Sequence, residues 1–369
     1  MLTLGVATQA VADDTDKVRL GDVDRALAEL VKGDKVVGAI GAAYVDDRKV
    51  DKGSAGSRLI GGKGGRIPTN ALFRIGSQTK LMTQVAIMKL VSEGKISLDD
   101  RLSDLLPVVV EQELVDYADQ ITVQQMIHHT SGIPNWYDPK LVDIFDFTTY
   151  QSPIELVALT KDVEPTGLPG ESYSYSNSNY MLLGLIIEKF KRSVAAAFEE
   201  YIFEPLDMDR TYLPVEFPGG IKGPHGHGYH PDENGEMVDV DQLNMSYGYA
   251  AGGVISNTDD LSAFHQGMAG DLLTKEEKDA LNAGRPRPGP PPSGAPEPSA
   301  PPAGPGVGVC GGQYQLVKGG SPGFSAVSFN NQDGSVQFVV SVTRAADQDE
   351  PEIDEAITKA AEAVLCPKR

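Results

Sequence analysis

Phe73-Arg74-Ile75-Gly76-Ser77-Gln78-Thr79-Lys80 is the stretch on which the reading of this chain turns. Ser77 and Lys80 form an S-x-x-K pair, which puts a hydroxyl and an amine on one face of a helix that begins at the serine. The segment that follows, Leu81 to Val91, is apolar on nearly every side and therefore reads as a helix buried within the protein. Burial and the positive end of the helix both disfavour the ammonium form of Lys80, bringing it into a range where it takes a proton from Ser77. The chain carries its own control. Ser92-Glu93-Gly94-Lys95 matches the same pattern, but it sits where Gly94 should end a helix, so its serine gains no such environment.

A second constellation lies at Tyr173-Ser174-Tyr175-Ser176-Asn177-Ser178-Asn179-Tyr180, just after the turn at Pro169-Gly170. Among the tyrosines only Tyr175 opens a Y-x-N triplet. A phenol close to an ammonium shuttles protons to and from a serine and a leaving group, and the amide of Asn177 orients a lysine and a substrate carbonyl. The plain alternative is a polar loop whose Ser and Asn side chains cap a helix starting near Asn179.

Around these stretches the chain sorts into elements. Val23 to Val31 reads as a helix capped by Asp22, and Lys35 to Val45 and Lys49 to Ile60 as strands joined at Asp46-Asp47-Arg48. Gln313 to Val317, Phe324 to Phe329 and Ser335 to Thr343 are β-rich, and Ile353 to Leu365 is an amphipathic helix, so the two ends share one antiparallel sheet. The middle is mainly helical: Leu81 to Ser92, Thr122 to His128, Asn179 to Lys191 and Ser193 to Tyr201. The expected organisation is a sheet-containing unit from 13–75 and 309–369, a mainly helical unit from 76–283, and a Pro/Gly/Ala-rich insertion at 284–308 without apolar periodicity.

Composition excludes whole classes. At 40% hydrophobic residues the chain carries enough apolar surface for a folded core, and a net charge of -20 with scattered Lys and Arg argues against nucleic acid. No run approaches the roughly 18 to 20 apolar residues of a bilayer span. Residues 1–12, with Ala10-Val11-Ala12 before Asp13, resemble the remnant of a signal peptide although no basic segment precedes them, and secretion is the expectation. The two cysteines, Cys310 and Cys366, are either a pair of buried thiols or a disulfide closing a loop of about 55 residues. The exported reading favours the disulfide.

Taken together, Phe73 to Lys80, Glu93-Gly94-Lys95-Ile96-Ser97-Leu98-Asp99-Asp100, His129-Thr130-Ser131-Gly132-Ile133-Pro134, Tyr175-Ser176-Asn177 with Tyr180 to Gly184, and Gly252-Gly253-Val254-Ile255-Ser256 resemble, in order and spacing, the blocks of the β-lactamase-related serine hydrolases, the penicillin-recognising D,D-peptidases and class C β-lactamases. The resemblance covers roughly 72–343. It implies an α+β fold of the serine β-lactamase/D,D-peptidase type, an antiparallel sheet flanked by helices plus a mainly helical domain, with a cleft between. It also implies Ser77 as acylated nucleophile, Lys80 as activating amine, Tyr175 as general acid/base and Asn177 as positioning amide. No metal or organic cofactor is implied. The cysteine placement is most similar to secreted D-alanyl-D-alanine carboxypeptidases, so the expected substrate is a peptidoglycan stem peptide. A β-lactam, a small ester, or a sensor that acylates without turning over are the alternatives.

Two departures bear on substrate. Members of this family carry K-T-G or H-x-G on the strand edging the site, and the counterpart here is Val317-Lys318-Gly319-Gly320-Ser321-Pro322-Gly323-Phe324. Without a gap Val317 takes the place of the cation. Lys318 is the expected cation, with Gly319, Gly320 and Ser321 as substrate-binding backbone, although the ungapped register would point Lys318 away unless a bulge intervenes. The arginine that carboxypeptidases place shortly before the first cysteine is absent from Gly306-Val307-Gly308-Val309, and Arg285 and Arg287 lie far back. Gly319 to Gly323 also fits G-x-S-x-G, but no histidine follows His265 to complete that triad. His225, His227 and His230 form H-x-H-x-x-H, which no neighbouring carboxylate or cysteine pattern completes as a metal site, and His129 is expected to hold the turn at Ser131-Gly132.

Overall fold

The computed structural model describes residues 18–214, 220–285, 308–347 and 350–367. The expected signal-peptide remnant and nearly all of the Pro-rich insertion, with Arg287, lie outside them. Helix α1 (Val23–Leu30) starts where Asp22 accepts the Arg25 amide at 2.7 Å, and buries Val23, Ala26, Leu27 and Leu30, one stripe at helical spacing. Strands β1 (Val36–Val45) and β2 (Arg48–Gly56) follow as a hairpin whose two loop residues, Asp46 and Asp47, both take positive φ, as a tight turn between twisted strands requires. After β3 (Phe73–Arg74) come α2 (Thr79–Ser92), α3 (Asn177–Glu188), β4 (Tyr229–Pro231), β5 (Met237–Asp239), β6 (Ile255–Ser256) and α4 (Thr258–Ala269). The chain closes with β7 (Gly308–Val309), β8 (Tyr314–Ser321), β9 (Phe324–Asn330), β10 (Val336–Arg344) and α5 (Pro351–Leu365).

Six strands form one sheet in the order β2-β1-β10-β9-β8-β7, antiparallel throughout, so the two ends of the chain pair directly through β1 and β10. Alternation along the strands gives the sheet two apolar faces. Ala39, Val340 and Val342 pack with Leu27 of α1 and Ile357 and Ala361 of α5. On the other face Ile40, Ala42, Ala326 and Val339 join the core of the helical layer, which has α2 at its centre. Met82, Val85, Ala86, Ile87 and Leu90 of α2 are all fully buried, which is why this helix shows no polar stripe. The molecule is α+β, as expected.

Local departures from the sequence reading have physical causes. Helix α3 starts at Asn177 rather than Asn179, because the Asn135 side chain takes the Asn177 amide at 2.9 Å and so caps the helix from another part of the chain. The helix expected over Ser193 to Tyr201 begins at Val194 under a Ser193 cap and widens into a π turn at Glu199–Phe203. Cys310 and Cys366 form a disulfide with Cα atoms 5.9 Å apart, tying the end of β7 to the end of α5 across 56 positions. Among the described residues no helix is long and apolar enough to cross a membrane.

Candidate active site

A short 3-10 turn, Gly76–Gln78, runs into α2 and carries Ser77 at its middle. Three ties hold this turn. The Ile75 amide donates to the Val254 carbonyl at 3.1 Å, and the Val254 amide donates to Thr79 Oγ1 at 3.2 Å. Gln78, fully buried, donates from Nε2 to the Ala326 carbonyl at 2.9 Å, while its Oε1 faces His265 Nε2 at 2.8 Å and accepts from Ser328 Oγ at 3.2 Å. Burial drives His265 down to about 4, so it is neutral near pH 7 and serves as a fixed polar contact for Gln78. The turn is thus bolted to β9 and to the segment before β6.

Ser77, Lys80 and Tyr175 meet at one point. Ser77 Oγ lies 2.7 Å from the Tyr175 hydroxyl and 3.2 Å from Lys80 Nζ. Lys80 is 5% exposed, donates to Asn177 Oδ1 at 2.8 Å and to the Ala251 carbonyl at 2.7 Å, and pairs with no carboxylate in any of its contacts. Burial alone lowers its pKa to about 7. Tyr175 moves the other way: burial pushes its phenol well above the ordinary range, and its hydrogen bond to Ser77 offsets only part of that. Near neutral pH the triad therefore holds a partly neutral amine and a protonated phenol.

The loop that presents Tyr175 is held by His129, which has φ of 56°. Its carbonyl accepts the Ser174 amide at 2.8 Å, its Nδ1 accepts the Ser176 amide at 3.1 Å, and its ring stacks on Tyr175 with centroids 4.5 Å apart. His129 accordingly fixes the Tyr175 loop, a more specific task than holding the Ser131-Gly132 turn. Desolvation and the nearby Lys80 hold it well below the usual histidine range, so Nδ1 is free of a proton and able to accept.

Strand β8 closes the other side. A Cβ on Gly319 would stand 1.8 Å from the Ile75 carbonyl oxygen, and one on Gly76 (φ 52°) would stand 2.7 Å from the Gly320 amide nitrogen, so only glycines allow this strand to reach the Ser77 turn. The β8–β9 register runs unbroken from Gln315↔Asn330 to Ser321↔Phe324. That continuity leaves no bulge of the kind the reading of Lys318 asked for. With no bulge to turn it inward, Lys318 borders the cleft but binds Asp354 of α5 at 2.5 Å, while Val317 falls on the face that carries Gly319. Gly320 and Ser321 line the cleft; Gly319 is buried against Ile75.

The cleft has a volume of about 1360 Å³ and contains Ser77, Tyr175 and Asn177 on its wall. Its border is acidic: Asp138, Asp143, Asp232, Glu233 and Asp347 stand around it with Lys140 as the exposed ammonium among the described residues. Arg74 and Arg344, which also touch it, are 1% exposed and donate to the carbonyls of Asp241 and of Ser321 and Phe324, respectively. Sequence reasoning missed Gln78, Asn135, Arg74 and the Ala251 carbonyl. Ala251 precedes the Gly252-Gly253 block and Asn135 follows the His129 block directly, so extending each block by one residue would have found both.

A family model described as Beta-lactamase matches residues 23–362. The fold is similar to that of a D-stereospecific amidohydrolase from Streptomyces sp., with a TM-score of 0.72 and 26% identity over 94% of this chain and 98% of that one. It is also similar to D-amino acid amidase from Ochrobactrum anthropi SV3, solved with L-phenylalanine amide, with a TM-score of 0.71 and 20% identity over 92% of this chain and 97% of that one. Among curated relatives, N-acetylmuramyl-L-alanine amidase of Bacillus subtilis is 28% identical over 211 residues, 52% of this chain and 47% of that protein. The chain spans less than half the length of the curated relatives it matches first.

Proposed function

The chain belongs to the Beta-lactamase family of serine hydrolases, and from that premise we propose that it is an acyl-enzyme hydrolase of D-aminoacyl amides and short peptides with a free amino group. The observation that carries the chemistry is the meeting of Ser77 Oγ, Lys80 Nζ and the Tyr175 hydroxyl. A neutral Lys80 has two protons, and two oxygens, Asn177 Oδ1 and the Ala251 carbonyl, take them. Its lone pair is left for the Ser77 proton. Ser77 then attacks the substrate carbonyl as its proton passes to Lys80, and the backbone amides of Ser77 and Gly320 serve the oxyanion. Collapse of the tetrahedral adduct breaks the C–N bond, the leaving amine takes the Tyr175 proton, and Lys80 returns a proton to Tyr175. Water, deprotonated in the same way, releases the acyl group and restores Ser77.

The substrate class follows from charge. A D-alanyl-D-alanine carboxypeptidase must hold a terminal carboxylate, yet Lys318 is engaged by Asp354, Val317 stands where a cation is needed, and carboxylates crowd the rim. A rim of that sign favours an ammonium; at 4 Å one carboxylate–ammonium contact is worth about 1 kcal/mol in water and about 4 kcal/mol near a protein surface. The likeness to D-stereospecific amidohydrolase supports the D-configuration. The disulfide fits an exported protein, and export is part of this proposal.

Kinetics on D-phenylalanine amide, its N-acetyl derivative, its L-enantiomer and an N-blocked D-alanyl-D-alanine peptide test the reading. The free D-amide should be the fastest, and N-acetylation should lower kcat/KM at least about tenfold. Faster cleavage of the N-blocked dipeptide would overturn it in favour of a carboxypeptidase.

A further inference from the structure

Outside the catalytic triad, the segment that walls the cleft gathers two histidines and a carboxylate. His225 and His227 stack with ring centroids 5.3 Å apart and planes 8° from parallel. His225 Nδ1 lies 2.6 Å from the Gly223 carbonyl oxygen and its Nε2 lies 2.6 Å from Asp241 Oδ1. His227 Nδ1 pairs with Asp239 Oδ2 at 2.8 Å. One ligand atom from each of His225, His227 and Asp241 lies within 4.8 Å of the other two. The carboxylate that the H-x-H-x-x-H sequence lacks locally thus arrives from beyond β5. The third histidine takes no part: His230 Nε2 faces Asp347 at 3.3 Å.

We propose that His225, His227 and Asp241 form a binding site for a divalent transition metal of the zinc class, with water completing a four-coordinate shell. Two imidazoles and one carboxylate suit zinc, whereas calcium and magnesium take oxygen ligands. Bonds of about 2.0–2.1 Å place tetrahedral ligand atoms about 3.3 Å apart. His225 and Asp241 are already closer than that, and His227, the most exposed of the three, has to turn its ring out of the parallel stack with His225 to close the shell. The surrounding shell is built as metal ligands need it. A carbonyl fixes the His225 ring through its other nitrogen, Asp239 orients His227, and Gln242 Nε2 donates to Asp241 Oδ2 at 3.0 Å. A plain ion pair between His225 and Asp241 needs neither His227 nor Asp239. The site is tied to catalysis by structure only: Arg58 Nε donates to the His225 carbonyl at 3.0 Å, and Arg74, three residues before Ser77, donates to the Asp241 carbonyl at 2.7 Å. A bound metal would therefore stiffen the wall of the cleft from behind.

Equilibrium dialysis of the full chain against Zn(II), and the ligand-field spectrum of its Co(II) form, test the site. One equivalent should bind to the wild type and equally to Ser77→Ala, with the spectrum of a four-coordinate Co(II). Asp239→Asn should weaken binding by about tenfold to a hundredfold, and His227→Ala by more than that, with far-UV circular dichroism unchanged. Absence of stoichiometric uptake, a six-coordinate Co(II) spectrum, or equal affinity in folded His227→Ala would overturn the proposal. Should His227→Ala fail to fold, equal affinity in Asp239→Asn does so.

Discussion

Lys80 is a buried amine whose three hydrogen-bond partners among the described residues are all neutral, and its behaviour with pH is the most direct consequence of that setting. With its pKa lowered to about 7 by desolvation, the amine is charged below that value and neutral above it. Only the neutral form accepts the Ser77 proton, so kcat/KM should rise with pH through about 7 and then level, as read from a pH–rate profile. Lys80→Arg keeps a cation that cannot deprotonate and should lose about 10²–10⁴-fold in acylation rate, together with that rising limb. Tyr175→Phe is the companion test. It retains the ring that stacks on His129 but removes the proton donor, so acylation should fall by a similar factor of about 10²–10⁴ while thermal unfolding stays near that of the wild type.

At the scale of elements, the decisive contact is the approach of β8 to the Ser77 turn. Gly319→Ala sets a methyl 1.8 Å from the Ile75 carbonyl oxygen, a clash with backbone that no rotamer relieves. It should cost about 1–3 kcal/mol of stability, measured as a shift in denaturant midpoint, and lower kcat/KM by about a hundredfold because the strand is pushed off the site. Much of this arrangement is legible in sequence. The α1 stripe with its Asp22 cap, the Asp46-Asp47 turn and the β-rich runs of β9 and β10 are local signals, and each falls within a few residues of where the sequence puts it. Ser77 and Lys80 are legible because burial of α2 is written in its composition, and Tyr175 because it alone of the tyrosines opens a Y-x-N triplet. The rest rests on distant partners. Gln78 reaches Ala326, Lys80 reaches Ala251, and Asn135 caps α3; Ala251 and Asn135 adjoin recognisable blocks, but which distant group each one meets is set by the fold. Lys318 is instructive: chemistry asked for a cation there, but strand alternation without a bulge decided its face, and Asp354 of α5 receives it.

At the scale of the molecule, one sheet serves two cores, and the disulfide fastens the outer one. Cys310–Cys366 closes a loop of 56 positions, so Cys310→Ser should remove about 4 kcal/mol of stability in the loop-entropy account, read from denaturant unfolding, while leaving the Ser77 turn in place. On the proposed reading, the acidic border of the cleft and the net charge of -20 act in the same direction, so that cleavage of ammonium-bearing substrates should weaken as salt rises, as read from kcat/KM against ionic strength. All of this depends on one covalent event at the junction of the sheet and the helical layer. Peptide-mapping mass spectrometry after brief incubation with an activated D-aminoacyl ester measures it directly. The account predicts a single acyl adduct, on Ser77, absent from Ser77→Ala; an adduct on another residue, or undiminished turnover by Ser77→Ala, would contradict it.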